Sequence, residues 1–193
     1  SLSKKLMKGI VPKIDISELI INGFNSSKSD KIIKQIKKAC TEVGFFTIVG
    51  HGISTKLINS TLITSKKFFN LPMYKKLKVA SQKWNKKNSN IYRGYFPSFV
   101  NGKEGLDIGD PMLDNSMTKI LSKDKLEYLN LKKVLNDKST LTIKKYFDCL
   151  FVLGELLFKS IVKGFEADLN IVNKAFVRPK TLTTLRFNYY PKQ

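Results

Sequence analysis

The chain offers one histidine, two cysteines and a few carboxylates, arginines and polar strand residues from which any chemistry has to be built. His51 stands between Gly50 and Gly52 at the end of an apolar run. A histidine so placed most simply hydrogen-bonds the backbone of its own turn. Serine or cysteine nucleophiles need a histidine base, and a turn histidine does not supply one. Asp107 and Asp110 are close enough in sequence to suggest a cation site; with no third ligand in view, turn caps are the competing reading. Alternation along Leu182 to Tyr190 puts Arg186, Asn188 and Tyr190 on one strand face, with Phe187 and Tyr189 on the other. An amide and a phenol suit a carboxylate or carbonyl oxygen, and the guanidinium of Arg93 or Arg186 suits a carboxylate through its fork. For Arg186, Tyr189 and Tyr190 a cross-strand packing or surface role competes. Cys40 and Cys149 fall on apolar faces of predicted helices and read as buried free thiols.

The elements that position these residues centre on Ser29 to Ile53, SDKIIKQIKKACTEVGFFTIVGHGI. Ile32, Ile33, Ile36, Ala39, Cys40 and Val43 recur at helical spacing between lysines, with Ser29 as the expected cap and Gly44 as the left-handed stop. Phe45 to Val49 is apolar throughout and predicts a strand covered on both faces. Ser54 caps a second helix towards Asn70, its core face carrying Leu57, Ile58, Thr61, Leu62, Ser65, Phe68 and Phe69. Pro72 opens a short helix with Met73, Leu77 and Val79. Val11 to Ile16 alternates as a short strand. Ser81 to Asn90 is polar and predicts a mobile loop, in which Trp84 is either a platform for a ligand or a base or, the competing reading, an anchor tucked into the surface. Tyr92 to Phe96 and Gly105 to Ile108 form a hairpin-like pair. Ser122 to Leu135 predicts an amphipathic helix, and Thr140 to Phe165 a longer one whose broad apolar face runs from Leu141 to Ile161.

Five stretches, in order, resemble the isopenicillin N synthase-like Fe(II)- and 2-oxoglutarate-dependent dioxygenases: VPKIDIS from Val11, VGFFTIVGHGI from Val43, YRGYFP from Tyr92, KEGLDIGDP from Lys103 and LRFNYYP from Leu185. The resemblance implies an α+β fold: an amino-terminal helix-strand region and the long backing helix of a double-stranded β-helix, or jelly-roll, oxygenase whose core is incomplete here. It divides the chain into residues 1–120, a helical region 121–180 and the first core strand at 181–193. It also implies that the parent enzyme uses Fe(II) and 2-oxoglutarate on a small-molecule substrate, that Asn188 and Tyr190 reach the cosubstrate, and that Arg93 sits where a substrate carboxylate binds; for Arg186, facing the same substrate cavity and lying on the outer side of its strand are both open. The family's metal motif, HxD followed by a distal His, is expected downstream of the NYYP strand. One histidine cannot build a facial triad of two His and a carboxylate, so no catalytic or metal residue and no cofactor is assigned within this chain alone.

At 193 residues, with 42% apolar residues and 13 Phe, the sequence supports a packed domain and excludes a disordered chain. No uncharged apolar run reaches membrane-spanning length, and the start SLSKKLMKG lacks a leader's apolar centre, so a cytoplasmic protein is expected. The net charge of +20 admits a noncatalytic module binding nucleic acid or acidic membrane. Of the 35 basic residues only three are arginine. A Lys-rich codon bias on a solvated surface therefore competes, and no specific nucleic-acid partner is expected. A truncated relative without the metal is a third reading. In a shortened core, Leu182 to Tyr190 keeps an unpaired edge that favours fraying or self-association.

Overall fold

The computed structural model describes residues 11–97, 102–114 and 127–191. Two compact units divide them: one takes the chain up to Ile53 and again from Leu150 to Ala175, the other runs from Ser54 to Cys149 and resumes at Phe176.

In the first unit, strand β1 (Lys13–Asp15) pairs in parallel with β2 (Thr47–Val49), Ile14 opposite Ile48. Parallel neighbours need a crossover, and helices α1 (Ser17–Asn22) and α2 (Ser27–Glu42) make it. The α2 cap is Ser26, not Ser29: the Ser26 hydroxyl accepts from the Ser29 amide at 3.1 Å. Ser29 is buried inside the first turn, donating its own hydroxyl to the Gly23 carbonyl at 2.7 Å. Spacing alone could not choose between two serines one turn apart. Gly44, at φ +93°, closes the helix as expected, its amide donating to the Ala39 carbonyl at 2.9 Å. Ile33, Ile36 and Ala39 are buried with Ile14, Ile16, Leu19 and Leu153. The β2 strand departs from expectation. It is short and partly exposed, and Phe45 is 60% exposed, because a two-stranded ribbon cannot cover both faces of a strand.

The second unit holds an antiparallel sheet of β3 (Gly94–Phe96), β4 (Glu104–Ile108) and β5 (Leu185–Tyr189), with β4 central. The β3–β4 pair is the expected hairpin-like excursion. β5 finds a partner within the chain: it runs along β4 in register, Leu106 opposite Phe187, and its other edge faces no described strand. Helix α3 (Thr55–Phe69) is capped by Ser54, whose hydroxyl accepts from the Leu57 amide at 3.2 Å. Its buried flank is Thr61, Thr64, Phe68 and Phe69; Leu62, expected inside, points to solvent. Helix α4 (Met73–Lys76) follows Pro72 as predicted and passes into a 3-10 turn, Leu77–Val79. The polar loop after it is tied down: Asn85 and Asn88 donate to the Leu77 carbonyl at 3.0 and 3.2 Å, and Trp84 packs on the core. Helix α5 (Asp137–Gly164) begins three residues earlier than Thr140 and contributes to both units. Leu141 is exposed, not part of its buried face. The helix expected over Ser122 to Leu135 lies partly outside the described residues. Its described part is irregular apart from a 3-10 turn, Leu131–Lys133, because Leu129 and Leu131 are both buried with the core, an alternation that helical spacing does not produce. Helix α6 (Asn170–Ala175) precedes the return to the sheet.

The core face of β4 carries Glu104, Leu106 and Ile108. Leu106 and Ile108 join Phe68, Tyr95 and Ile143, while Phe69 stacks on Tyr189 with centroids 5.2 Å apart. Glu104 is charged where its neighbours are apolar, so it requires partners. The Lys76 ammonium donates to Glu104 Oε2 at 2.6 Å and to the Phe69 carbonyl at 3.1 Å, and the Tyr95 phenol donates to the same Oε2 at 2.5 Å. Burial, then the hydrogen bond and charge of Glu104, push Tyr95 above its ordinary phenol range.

Two outcomes follow for urea unfolding. Gly94 holds φ +126°, and a Cβ there would lie 2.5 Å from the Val79 carbonyl oxygen and 2.9 Å from the Ser81 nitrogen. Gly94→Ala should therefore cost roughly 2–5 kcal/mol; an unchanged midpoint would show that residues 79–81 yield. Lys76→Met strands the Glu104 carboxylate at a cost of about 3–5 kcal/mol, and adding Glu104→Gln should recover more than half of it. Additive losses in the double variant would contradict the coupling.

Candidate functional site

The other face of the second sheet gathers the polar residues. Register places Gly94, Asp107 and Arg186 in one row, and Phe96, Gly105 and Asn188 in the next. Because Gly105 has no side chain, nothing on β4 covers Asn188, which is exposed, as is Tyr190 beyond it. The alternation along β5 matches the sequence reading: Arg186, Asn188 and Tyr190 face outward, while Phe187 and Tyr189 pack on the core.

Asp107 is buried, and Arg186 meets it with both prongs, Nε donating to Oδ1 at 2.6 Å and Nη2 to Oδ2 at 2.5 Å. These hydrogen bonds, then the charge of Asp107, hold the Arg186 guanidinium above its ordinary value. Asp110 is also buried and takes Arg178 the same way, at 2.7 and 2.5 Å, while its Oδ1 accepts from the Met112 amide at 2.9 Å. Arg178 reaches Asp148 as well, at 2.7 Å. The cation site considered for Asp107 and Asp110 is thus corrected: each carboxylate already has a guanidinium, and Asp110 is a turn cap in addition. Arg178 was not singled out from the sequence. Its signal was rarity, since three arginines among 35 basic residues mark the positions where a planar fork is needed.

Arg93 sits beside this pair. Its Nη2 donates to the Leu182 carbonyl at 3.1 Å, and its buried Nε has no hydrogen-bond partner. Burial pulls the guanidinium below its ordinary value, and the charges of Asp107 and Glu127 oppose that pull. Glu127, also missed, organises the approach: its carboxylate accepts from the amides of Ile91, Tyr92 and Arg93 at 2.6, 2.8 and 2.9 Å. Gly109 leaves the room for this, because a Cβ there would collide with the Glu127 carbonyl. No local pattern links a glutamate to amides more than thirty residues away. Arg93 and Arg186 are therefore brought together around Asp107, with Asn188 and Tyr190 further along β5.

His51 does what its glycines suggest. Its Nδ1 accepts from the Ile53 amide at 3.1 Å, and Gly50 and Gly52 take φ +67° and +74°. Gly50 also passes Asp15 and Ser17 so closely that a Cβ would overlap both side chains. Among the described residues no three His, Cys, Asp or Glu side chains form a metal-binding group. Cys40 and Cys149 are free and partly buried.

A family model described as the amino-terminal region of non-haem dioxygenase in morphine synthesis matches residues 11–142. A probable iron/ascorbate oxidoreductase of Dictyostelium discoideum is 28% identical, covering 93% of this chain and 52% of that protein. Jasmonate-induced oxygenase 3 of Arabidopsis thaliana is 30% identical, over 94% of this chain and 47% of that protein. The crystal structure of a full-length Neurospora crassa protein in complex with alpha-KG is similar in fold, with a TM-score of 0.69 and 24% identity over 94% of this chain and 51% of that one. The chain spans about half the length of these relatives. With five motifs in family order and the family model matched over most of its length, the chain belongs to the non-haem, Fe(II)- and 2-oxoglutarate-dependent dioxygenase family.

Proposed function

We propose that this chain is the amino-terminal portion of an oxygenase that couples 2-oxoglutarate decarboxylation to oxidation of a small molecule. The observation that carries the reading is the family match over residues 11–142, continued structurally through the sheet that ends in β5. The parent enzyme's iron supplies the oxygen chemistry. The residues described here do not fit the iron itself: the one imidazole accepts from a backbone amide through Nδ1, and Glu104, Asp107 and Asp110 are each paired with a cation. No step is assigned to iron on this chain. What these residues do in the proposal is bind and orient. Asn188 and Tyr190 present an amide and a phenol on the open face of β5 to the keto-acid carboxylate. Arg186 has five N–H donors and spends two on Asp107, so the remainder can meet an anionic group of the substrate. Arg93 spends one Nη2 donor on the Leu182 carbonyl, and the remaining outer N–H groups of its guanidinium make it the second such donor. Asp107 holds Arg186 in place, so its role is positioning.

The test is made on the protein that continues past Gln193 in its reading frame. With Fe(II) and 2-oxoglutarate it should form succinate, and Tyr190→Phe or Asn188→Ala should raise the 2-oxoglutarate KM about tenfold, the cost of one hydrogen bond to a charged group. A reading frame without HxD and a distal His, or a complete protein that forms no succinate with any substrate, would refute the proposal. An unchanged KM in both variants would remove Asn188 and Tyr190 from the cosubstrate site while leaving the enzyme reading intact.

A further inference from the structure

The basic residues are unevenly placed. Residues 43–103 contain ten lysines and one arginine and no aspartate or glutamate, although the chain has 15 acidic residues elsewhere. Codon bias towards lysine raises the positive count, but it does not remove carboxylates from a third of the chain. Two of the eleven cations turn inward, Lys76 to Glu104 and Arg93 to the Leu182 carbonyl. Lys66, Lys67, Lys75, Lys78, Lys86 and Lys87 are exposed, and none has a carboxylate partner among the described residues.

Apolar side chains lie in the same stretch. On α3, Leu62 and Ile63 are 54% and 55% exposed, and Lys66 and Lys67 stand one turn on from them, so the four share the flank opposite buried Phe68. The helix ends at Phe69 and α4 starts at Met73, no more than about 14 Å of chain later. There Met73 and Tyr74 are 40% and 64% exposed beside Lys75. Exposed aliphatic and tyrosine side chains among unpaired lysines, with no carboxylate to repel an anion, are the composition of an interfacial membrane contact. A nucleic-acid face would draw on arginine forks and open aromatic platforms. Here all three arginines bond to oxygens within the chain, Trp84 packs on the core, and the exposed aromatic of this face, Tyr74, stands with aliphatic Leu62, Ile63 and Met73.

We propose that the α3–α4 surface docks the protein on an anionic lipid bilayer, with Leu62, Ile63, Met73 and Tyr74 entering the headgroup boundary and the surrounding lysines held by lipid charge. No helix among the described residues is long and apolar enough to cross a membrane, so the contact is peripheral. The inference is independent of the oxygenase reading.

Co-sedimentation of the 193-residue chain with vesicles of phosphatidylcholine and phosphatidylserine tests it, against vesicles of phosphatidylcholine alone. Binding is expected only with phosphatidylserine. Replacing Lys66, Lys67, Lys75 and Lys78 by glutamine should weaken it by about fivefold per lysine, and Leu62→Ser with Ile63→Ser by about tenfold. The same number of changes on α2, at Lys28, Lys31, Lys34 and Lys38, should cost less than about tenfold in total. Circular dichroism checks the fold, and the pairs Lys66/Lys67 and Lys75/Lys78 made separately keep the test readable should the fourfold variant not fold. Equal losses from the α2 set would mean that net charge alone drives binding and would overturn the proposal. So would equal binding to both vesicle types, no binding to either, or indifference to Leu62 and Ile63 with tighter binding of a single-stranded oligonucleotide.

Discussion

Strand β4 carries charge into a place where charge is expensive. Glu104 lies on its core face, Asp107 is buried on the other, and Asp110 follows just past its end. Each carboxylate taken out of water loses several kcal/mol of hydration and is tolerable only with a cation and filled lone pairs. The cations come from three separate places: Lys76 from α4, Arg186 from β5, and Arg178 from the segment before β5. The two guanidiniums approach in bidentate geometry, which fixes orientation as well as distance. Such pairs add little net stability over an apolar substitute, yet a mispaired arrangement leaves an uncompensated buried charge. Their consequence is specification: β5 in its observed register is the arrangement that satisfies Asp107.

The same region depends on backbone passing unusually close to backbone. Gly94 admits the chain at Val79 to Ser81, and Gly109 admits Glu127, whose carboxylate then gathers three successive amides. A carboxylate bonded by several N–H groups can order a segment that has no regular hydrogen-bond ladder of its own. Residues 91–93 are held this way, and Arg93 with them. The fine position of Arg93 beside Asp107 and Arg186 therefore rests on two glycines and one glutamate that contribute no donor to a substrate.

Local patterns made part of this legible. The Ser54 cap, the left-handed Gly44, the His51 turn and the in-out alternation of β5 each depend on a few neighbouring residues, and each is found where expected. Periodicity reports which residues are apolar; it does not report whether anything covers them. Leu62, Leu141 and Phe45 were read as inside and are exposed for that reason. The described part of Ser122 to Leu135 failed differently: Leu129 and Leu131 are buried two residues apart, a spacing that an irregular segment can satisfy and a helix cannot. Ion pairs separated by 68 and 79 positions in sequence leave no local trace, so Asp107 and Asp110 could be noticed but not partnered.

Lysine and arginine divide the work of this chain according to their hydration. The guanidinium is weakly hydrated and planar, and all three arginines are anchored to fixed oxygens inside the second unit. The ammonium is strongly hydrated, and Lys76 is the lysine found buried among the described residues. The other lysines among the described residues are exposed or partly exposed, on flexible stems. Charges so placed act through a field that falls off over about 10 Å at 0.1 M salt, and they do not define a geometry. Geometry on the outer surface has to come from side chains that salt does not screen. Between Leu62 and Tyr74 the large exposed side chains of that kind are Leu62, Ile63, Met73 and Tyr74, so a partner covering them gains burial that the exposed lysines around them, unpaired among the described residues, do not supply.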